Sequence, residues 1–149
     1  MMRHLVSGLE IVSGLLLVAL MTVTGMDVIG RYLFDRPLPG AFEMTELLLA
    51  ALVFAALPLV SRSGGHVEVD LFDSFLSPKA RRALLWIGAA VAFCVLMVFA
   101  WRLVLHGLQQ AAVGSRSISL GIPFAPVSFF GAAGCVAAAL FGLVRAIRA

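Results

Sequence analysis

Four long apolar runs, separated by short polar breaks, dominate the chain. A helix needs about 20 mostly apolar residues to cross a bilayer. The runs at about 5–26, 41–60, 83–105 and 123–144 each reach that length. The first is uncharged from Ile11 to Met26 and the third from Ala83 to Trp101. The breaks carry turn chemistry. Pro37-Leu38-Pro39-Gly40 forces an interruption before the second run. Ser77-Pro78 before the third reads as an N-cap followed by proline at the first helical position. Pro123 and Pro126 fall in or before the first turn of the fourth, where proline is tolerated. Lipid offers no partners to exposed backbone groups, so each run is expected to be helical. The runs are continuous, without the in/out alternation of barrel strands. The expectation is an all-α integral membrane protein, one membrane domain over 1–149 with four transmembrane helices.

A signal peptide competes for the first run, because Arg3 precedes it. No A-x-A-like cleavage site appears before Asp27, and three more apolar runs follow. A retained first span is the expectation.

Between spans two and three the pattern changes. At 100° per residue, Val69, Leu71, Phe72, Phe75 and Leu76 fall on one arc, and Asp70, Asp73, Ser74 and Ser77 on the opposite one. Only Glu68 lands on the wrong side. This predicts an amphipathic interfacial helix at about 67–77, lying on the membrane or against a partner. Its acidic polar face favours a protein neighbour over anionic lipid. A loop tucked under the helices is the plainer alternative.

Composition agrees with immersion in lipid. Of the 149 residues, 62% are hydrophobic and 13% charged, where a soluble domain has about 45–50% and about 25%. The mean hydropathy is +1.06 and the isoelectric point about 9.5. Basic residues sit singly or in small groups at the ends of the apolar runs, which is a membrane-anchoring pattern and argues against nucleic acid. The two sides of the membrane divide them unequally. Arg3, Arg62, Lys79, Arg81, Arg82, Arg145 and Arg148 share one side; Arg31, Arg36, Arg102 and Arg116 share the other. Seven against four places both termini in the cytoplasm by the positive-inside rule.

Side-chain size adds a second layer. Gly134, Ala138, Gly142 and Ala146 recur every four residues in span four, Gly88 with Ala92 in span three, and Ala51 with Ala55 in span two. Such stripes let helix backbones approach closely. Packing inside a four-helix bundle explains them, and a docking face for another subunit is the alternative.

Candidate chemistry is sparse. The middles of the spans hold no ionisable residue, whereas a transport pathway would need some. Glu43 and Glu46 lie in the opening turns of span two, three residues apart and on one face, where the positive helix end favours carboxylates. Arg102 and His106 lie near the end of span three. There is no GxSxG, HExxH or P-loop sequence, and His4, His66 and His106 are isolated. Cys94 and Cys135 lie within apolar runs, without metal-ligand or disulfide spacing. No cofactor, metal or catalytic residue is expected, and the Ser115-Arg116-Ser117 turn reads as a plain loop.

Four segments together carry a resemblance. They are Asp27-Val28-Ile29-Gly30-Arg31-Tyr32-Leu33-Phe34-Asp35-Arg36-Pro37-Leu38-Pro39-Gly40, then Glu43-Met44-Thr45-Glu46-Leu47-Leu48-Leu49, then Arg62-Ser63-Gly64-Gly65-His66-Val67-Glu68-Val69-Asp70, and finally Ser115-Arg116-Ser117-Ile118-Ser119-Leu120-Gly121-Ile122-Pro123. In this order the chain resembles the small, four-helix (Q-type) membrane subunit of tripartite ATP-independent periplasmic (TRAP) transporters. The resemblance implies a multi-pass protein of the bacterial inner membrane that forms a heterodimer with a large elevator-type membrane subunit. That large subunit carries the sodium and substrate sites, and a periplasmic binding protein delivers a small organic acid. Membrane lipids are the remaining expected partner. On this resemblance Arg31, Tyr32, Glu43, Glu46, Gly64, Gly65, His66 and Asp70 are expected to matter for structure or subunit contact, with Arg31 reaching Glu43 or Glu46. Gly64-Gly65 reads either as a tight turn into the interfacial helix or as a flexible linker. The competing readings are a stand-alone four-helix assembly protein and a membrane anchor of a redox enzyme.

Overall fold

A computed structural model describes residues 2–63 and 78–148. The expected interfacial helix at 67–77 lies outside the described residues, and so do Gly64, Gly65, His66 and Asp70. The described chain forms four helices: α1 (Met2–Phe34), α2 (Ala41–Ser63), α3 (Pro78–Val113) and α4 (Ala125–Arg148). All four are long and apolar enough to span a membrane.

Their lengths fall into two classes. α1 and α3 have 33 and 36 residues, α2 and α4 have 23 and 24. At about 1.5 Å per residue the first pair reaches roughly 50 Å and the second roughly 35 Å. A hydrocarbon core is about 30 Å thick, so the long helices tilt or project into the headgroup layer. α1 runs eight residues past Met26, the end of its uncharged stretch, because no proline from Asp27 to Phe34 breaks the helix. It stops where Asp35 takes up a left-handed conformation (φ 49°), which turns the chain so that the Arg36 N–H reaches the Gly30 carbonyl at 2.9 Å.

The helices do not close into a bundle. Among the described residues α1 packs only on α2, α2 also on α4, and α4 also on α3. Among the described residues the helices are neighbours in the open order α1–α2–α4–α3, and the bundle expected from the small-residue stripes is corrected to this open row. A closed bundle needs α1 against α3 or α4, and among the described residues no such contact forms. The physical reason lies in where the small residues are. α4 carries them on enough of its circumference to accept α2 on one side and α3 on the other.

Packing at α4 shows how. Ala132, Cys135, Ala138 and Ala139 are all buried. The Phe54 ring of α2 lies over Gly131, and a side chain at Gly134 would bring its Cβ within 2.5 Å of the Phe54 carbonyl oxygen. That carbonyl is special. Its helical donor would be the N–H of residue 58, which is Pro58, buried within α2 and without an N–H. A carbonyl deprived of its usual i+4 donor therefore faces glycine, the residue type that can approach it most closely. On the other side of α4, Phe129 lies against Gly107 of α3. The stripes of α4 and α2 are thus used within the chain through Gly134, Ala138 and Ala55. That of α3 is not: nothing lies within 4 Å of an added Cβ at Gly88, and Ala92 is exposed.

Candidate functional site

Both short loops, 35–40 and 114–124, lie at the same end of the row, and each is fastened by a carboxylate. Asp27 does this for the first. Its Oδ1 accepts from the Leu38 N–H at 3.1 Å, and its Oδ2 pairs with Arg31 one helical turn on, at 2.8 Å. The aspartate side chain is largely covered while the Arg31 side chain is 60% exposed. Arg31 therefore neutralises Asp27 from the solvent side and leaves the carboxylate free to hold the loop. The expected contact from Arg31 to Glu43 or Glu46 does not form. The i,i+4 partner on its own helix is closer to hand.

Glu43 fastens the second loop instead. It stands in the first turn of α2 and reaches 74 residues along the sequence. Its carboxylate accepts the Ser117 hydroxyl, the Ile118 N–H at 3.1 Å, and both the N–H (3.1 Å) and the hydroxyl (3.2 Å) of Ser119. Ionised carboxylates accept such bonds strongly and bind well in concavities lined by successive N–H groups.

The loop is built to present those donors. The Ser117 N–H bonds to the Ile122 carbonyl at 2.9 Å, the Gly121 N–H to the Ser117 carbonyl at 3.0 Å, and the Leu120 N–H to the Ser117 hydroxyl oxygen at 3.1 Å. Gly114 and Gly121 both take up left-handed φ of 67°, and Arg116 pairs with Pro123 across the base of the loop. The Arg116 guanidinium donates to the Gly121 carbonyl rather than to a carboxylate. Ser117 ends up buried while Ile118, beside it, is 98% exposed.

The two loops also meet directly. Gly40, at φ +73°, lies so close to Leu120 that a Cβ would fall 2.7 Å from Leu120 Cγ. Conformation and space both demand glycine there. A third polar cluster joins α3 to α4 nearby. The Ser128 hydroxyl donates to Gln110 Oε1 at 2.7 Å, and the Gln110 amide donates to His106 Nε2 at 3.1 Å.

Of the expected residues, the structure brings Glu43 into this end and holds Arg31 beside it on Asp27. Tyr32 is 79% exposed and Glu46 is exposed, neither drawn into the clasp. The site residues that sequence reasoning passed over are Asp27, Ser117, Ser119, Gln110 and Ser128. The serine pair flanked by glycines was the available signal for a donor-rich loop. Its partner was not readable, because nothing local connects residue 117 to residue 43.

Residues 20–149 match the family described as Tripartite ATP-independent periplasmic transporters, DctQ component. The chain belongs to that family. The match covers all but the first 19 positions, and with them both clasped loops. Among curated proteins, none matches this chain. The DctQ component is a transporter part, and this chain is a TRAP-transporter small membrane subunit with four membrane-spanning helices. Membership implies association with the other TRAP components. The DctQ match and the structure agree in character: a multi-pass membrane protein.

Proposed function

We propose that this chain is the non-catalytic scaffold of a TRAP secondary transporter, forming a heterodimer with a large elevator-type membrane subunit. The transporter takes up a small organic acid, driven by sodium and delivered by a periplasmic binding protein, across the bacterial inner membrane. Both termini are cytoplasmic on this reading, so the clasped loops face the periplasm. The whole of 1–149 acts as one membrane domain, and the segment 67–77 forms an interfacial helix against the partner. Arg31, Tyr32, Glu46, Gly64, Gly65, His66 and Asp70 contribute to subunit contact, and Glu43 to the internal clasp.

The observation that carries the reading is the open row. Helices pack about 8–10 Å apart, so four abreast make an apolar wall some 35 Å wide. Such a wall has two broad faces and, among the described residues, encloses no path for a solute. The helix middles carry no charge with which to bind or relay an ion. A moving subunit needs a static frame to move against, and a wide, rigid, uncharged layer supplies one. DctQ membership supports the same conclusion.

Co-expression with the large membrane subunit from the same organism tests this. The two should co-purify in mild detergent, and sodium-driven uptake into proteoliposomes should require both together with the binding protein. Uptake at full rate by the large subunit alone would overturn the scaffold role.

A further inference from the structure

The Glu43 clasp has a property beyond joining two loops. Four donors converge on its carboxylate, two from backbone and two from serine hydroxyls, and all are neutral. The nearby cations are engaged elsewhere, Arg31 on Asp27 and Arg116 on the Gly121 carbonyl. The loop's own hydrogen bonds, from Ser117 to Ile122 and from Gly121 to Ser117, bring the donors to one side of the turn, and Glu43 ties that turn to the start of α2. The concavity also opens toward solvent, since Ile118 and Ser119 are exposed.

We infer that residues 117–119 form a carboxylate receptor, filled in this chain by Glu43, that accepts a small monocarboxylate from solution once that side chain is cut back. The receptor recognises a planar anion with two acceptor oxygens; the covalent tether only raises its local concentration. Glu43 is thereby a positioning residue, a latch that sets the α3–α4 loop against the start of α2. The receptor lies wholly within this chain, so its behaviour does not depend on the transporter reading or on any partner.

Glu43→Ala removes Cγ and the carboxyl group, and acetate consists of the same atoms. Propionate is one carbon too long for the gap, and chloride lacks the shape. Tryptic cleavage after Arg116, followed by mass spectrometry on the full-length protein in detergent, reads the order of the loop. Glu43→Ala is expected to be cut about tenfold faster than the unsubstituted chain, the scale of losing a weak-to-moderate free-energy preference. Acetate at roughly 100 mM, suited to an untethered ligand of millimolar affinity, should restore most of the protection. Propionate should restore less and equimolar chloride none. Glu43→Gln keeps the bulk but offers one acceptor oxygen, so it should be cut at an intermediate rate that acetate leaves unchanged. Cleavage of Glu43→Ala at the unsubstituted rate, or protection by chloride equal to that by acetate, would overturn the proposal. Should Glu43→Ala not fold, Glu43→Gln decides: an unsubstituted rate sinks the latch and an intermediate rate sustains it.

Discussion

α3 and α4 are both apolar spans, and α3 holds the more apolar stretch of the two. Yet only 6% of that stretch of α3 is buried in the chain, against 33% of the corresponding stretch of α4. The difference lies in size. α3 presents Trp86, Ile87, Val91, Val98, Phe99 and Trp101 outward. α4 offers glycine, alanine and a small buried cysteine where α2 and α3 meet it. In lipid, leucine gains little by leaving one apolar medium for another, so hydrophobicity puts a helix in the membrane without choosing its neighbours. Close backbone approach chooses them. The same contrast separates the clasped end of the helices from their middles: polar clasps hold the one, and the apolar middles rely on contact alone.

Substitution can break that contrast. Gly134→Leu should have the largest effect, because its first added atom meets the Phe54 carbonyl that Pro58 deprives of its i+4 donor. A loss of about 3 kcal/mol or more is expected, the upper range for overpacking, seen as a large fall in melting temperature by size-exclusion of heated samples. Ser128→Ala should cost less, about 0.6–1 kcal/mol, a usual value for an interhelical hydrogen bond in lipid. It leaves Gln110 Oε1 without its donor at the α3–α4 contact, and the same melting assay measures it. Gly88→Leu should change stability by under about 0.5 kcal/mol, as at an open surface position, since nothing lies near that site on α3. If Gly88→Leu and Gly134→Leu destabilised equally, the two helices would not differ as described.

Much of this was legible in the chain. The four spans follow from run length and from turn residues such as Pro37-Leu38-Pro39-Gly40, which are local signals. The small-residue stripe of α4 was legible too, but not whom it served, because a stripe does not state its partner. The row order was hidden for the same reason: the bundle and the row need the same four spans and differ only in pairings distant in sequence. At the loop end, Glu43 stood out as a carboxylate in an opening turn. Helix-end logic gave it a generic role there, and its real partners are 74 to 76 residues away. Arg31 pairs with Asp27, one turn back on its own helix, rather than with the more conspicuous Glu43 and Glu46 of α2.

The row order α1–α2–α4–α3 is the claim on which the rest stands, and a distance between the two outermost helices tests it most directly. Spin labels at exposed Leu17 of α1 and Val95 of α3, with Cys94 and Cys135 replaced by alanine, would report it in nanodiscs. Both positions lie about 17 residues from the clasped end of their helices and so at similar depth. Three interhelical spacings of about 8–10 Å predict a separation near 25–30 Å with a narrow distribution. A distance of roughly 10–15 Å, one spacing or the diagonal of a closed bundle, would contradict the row.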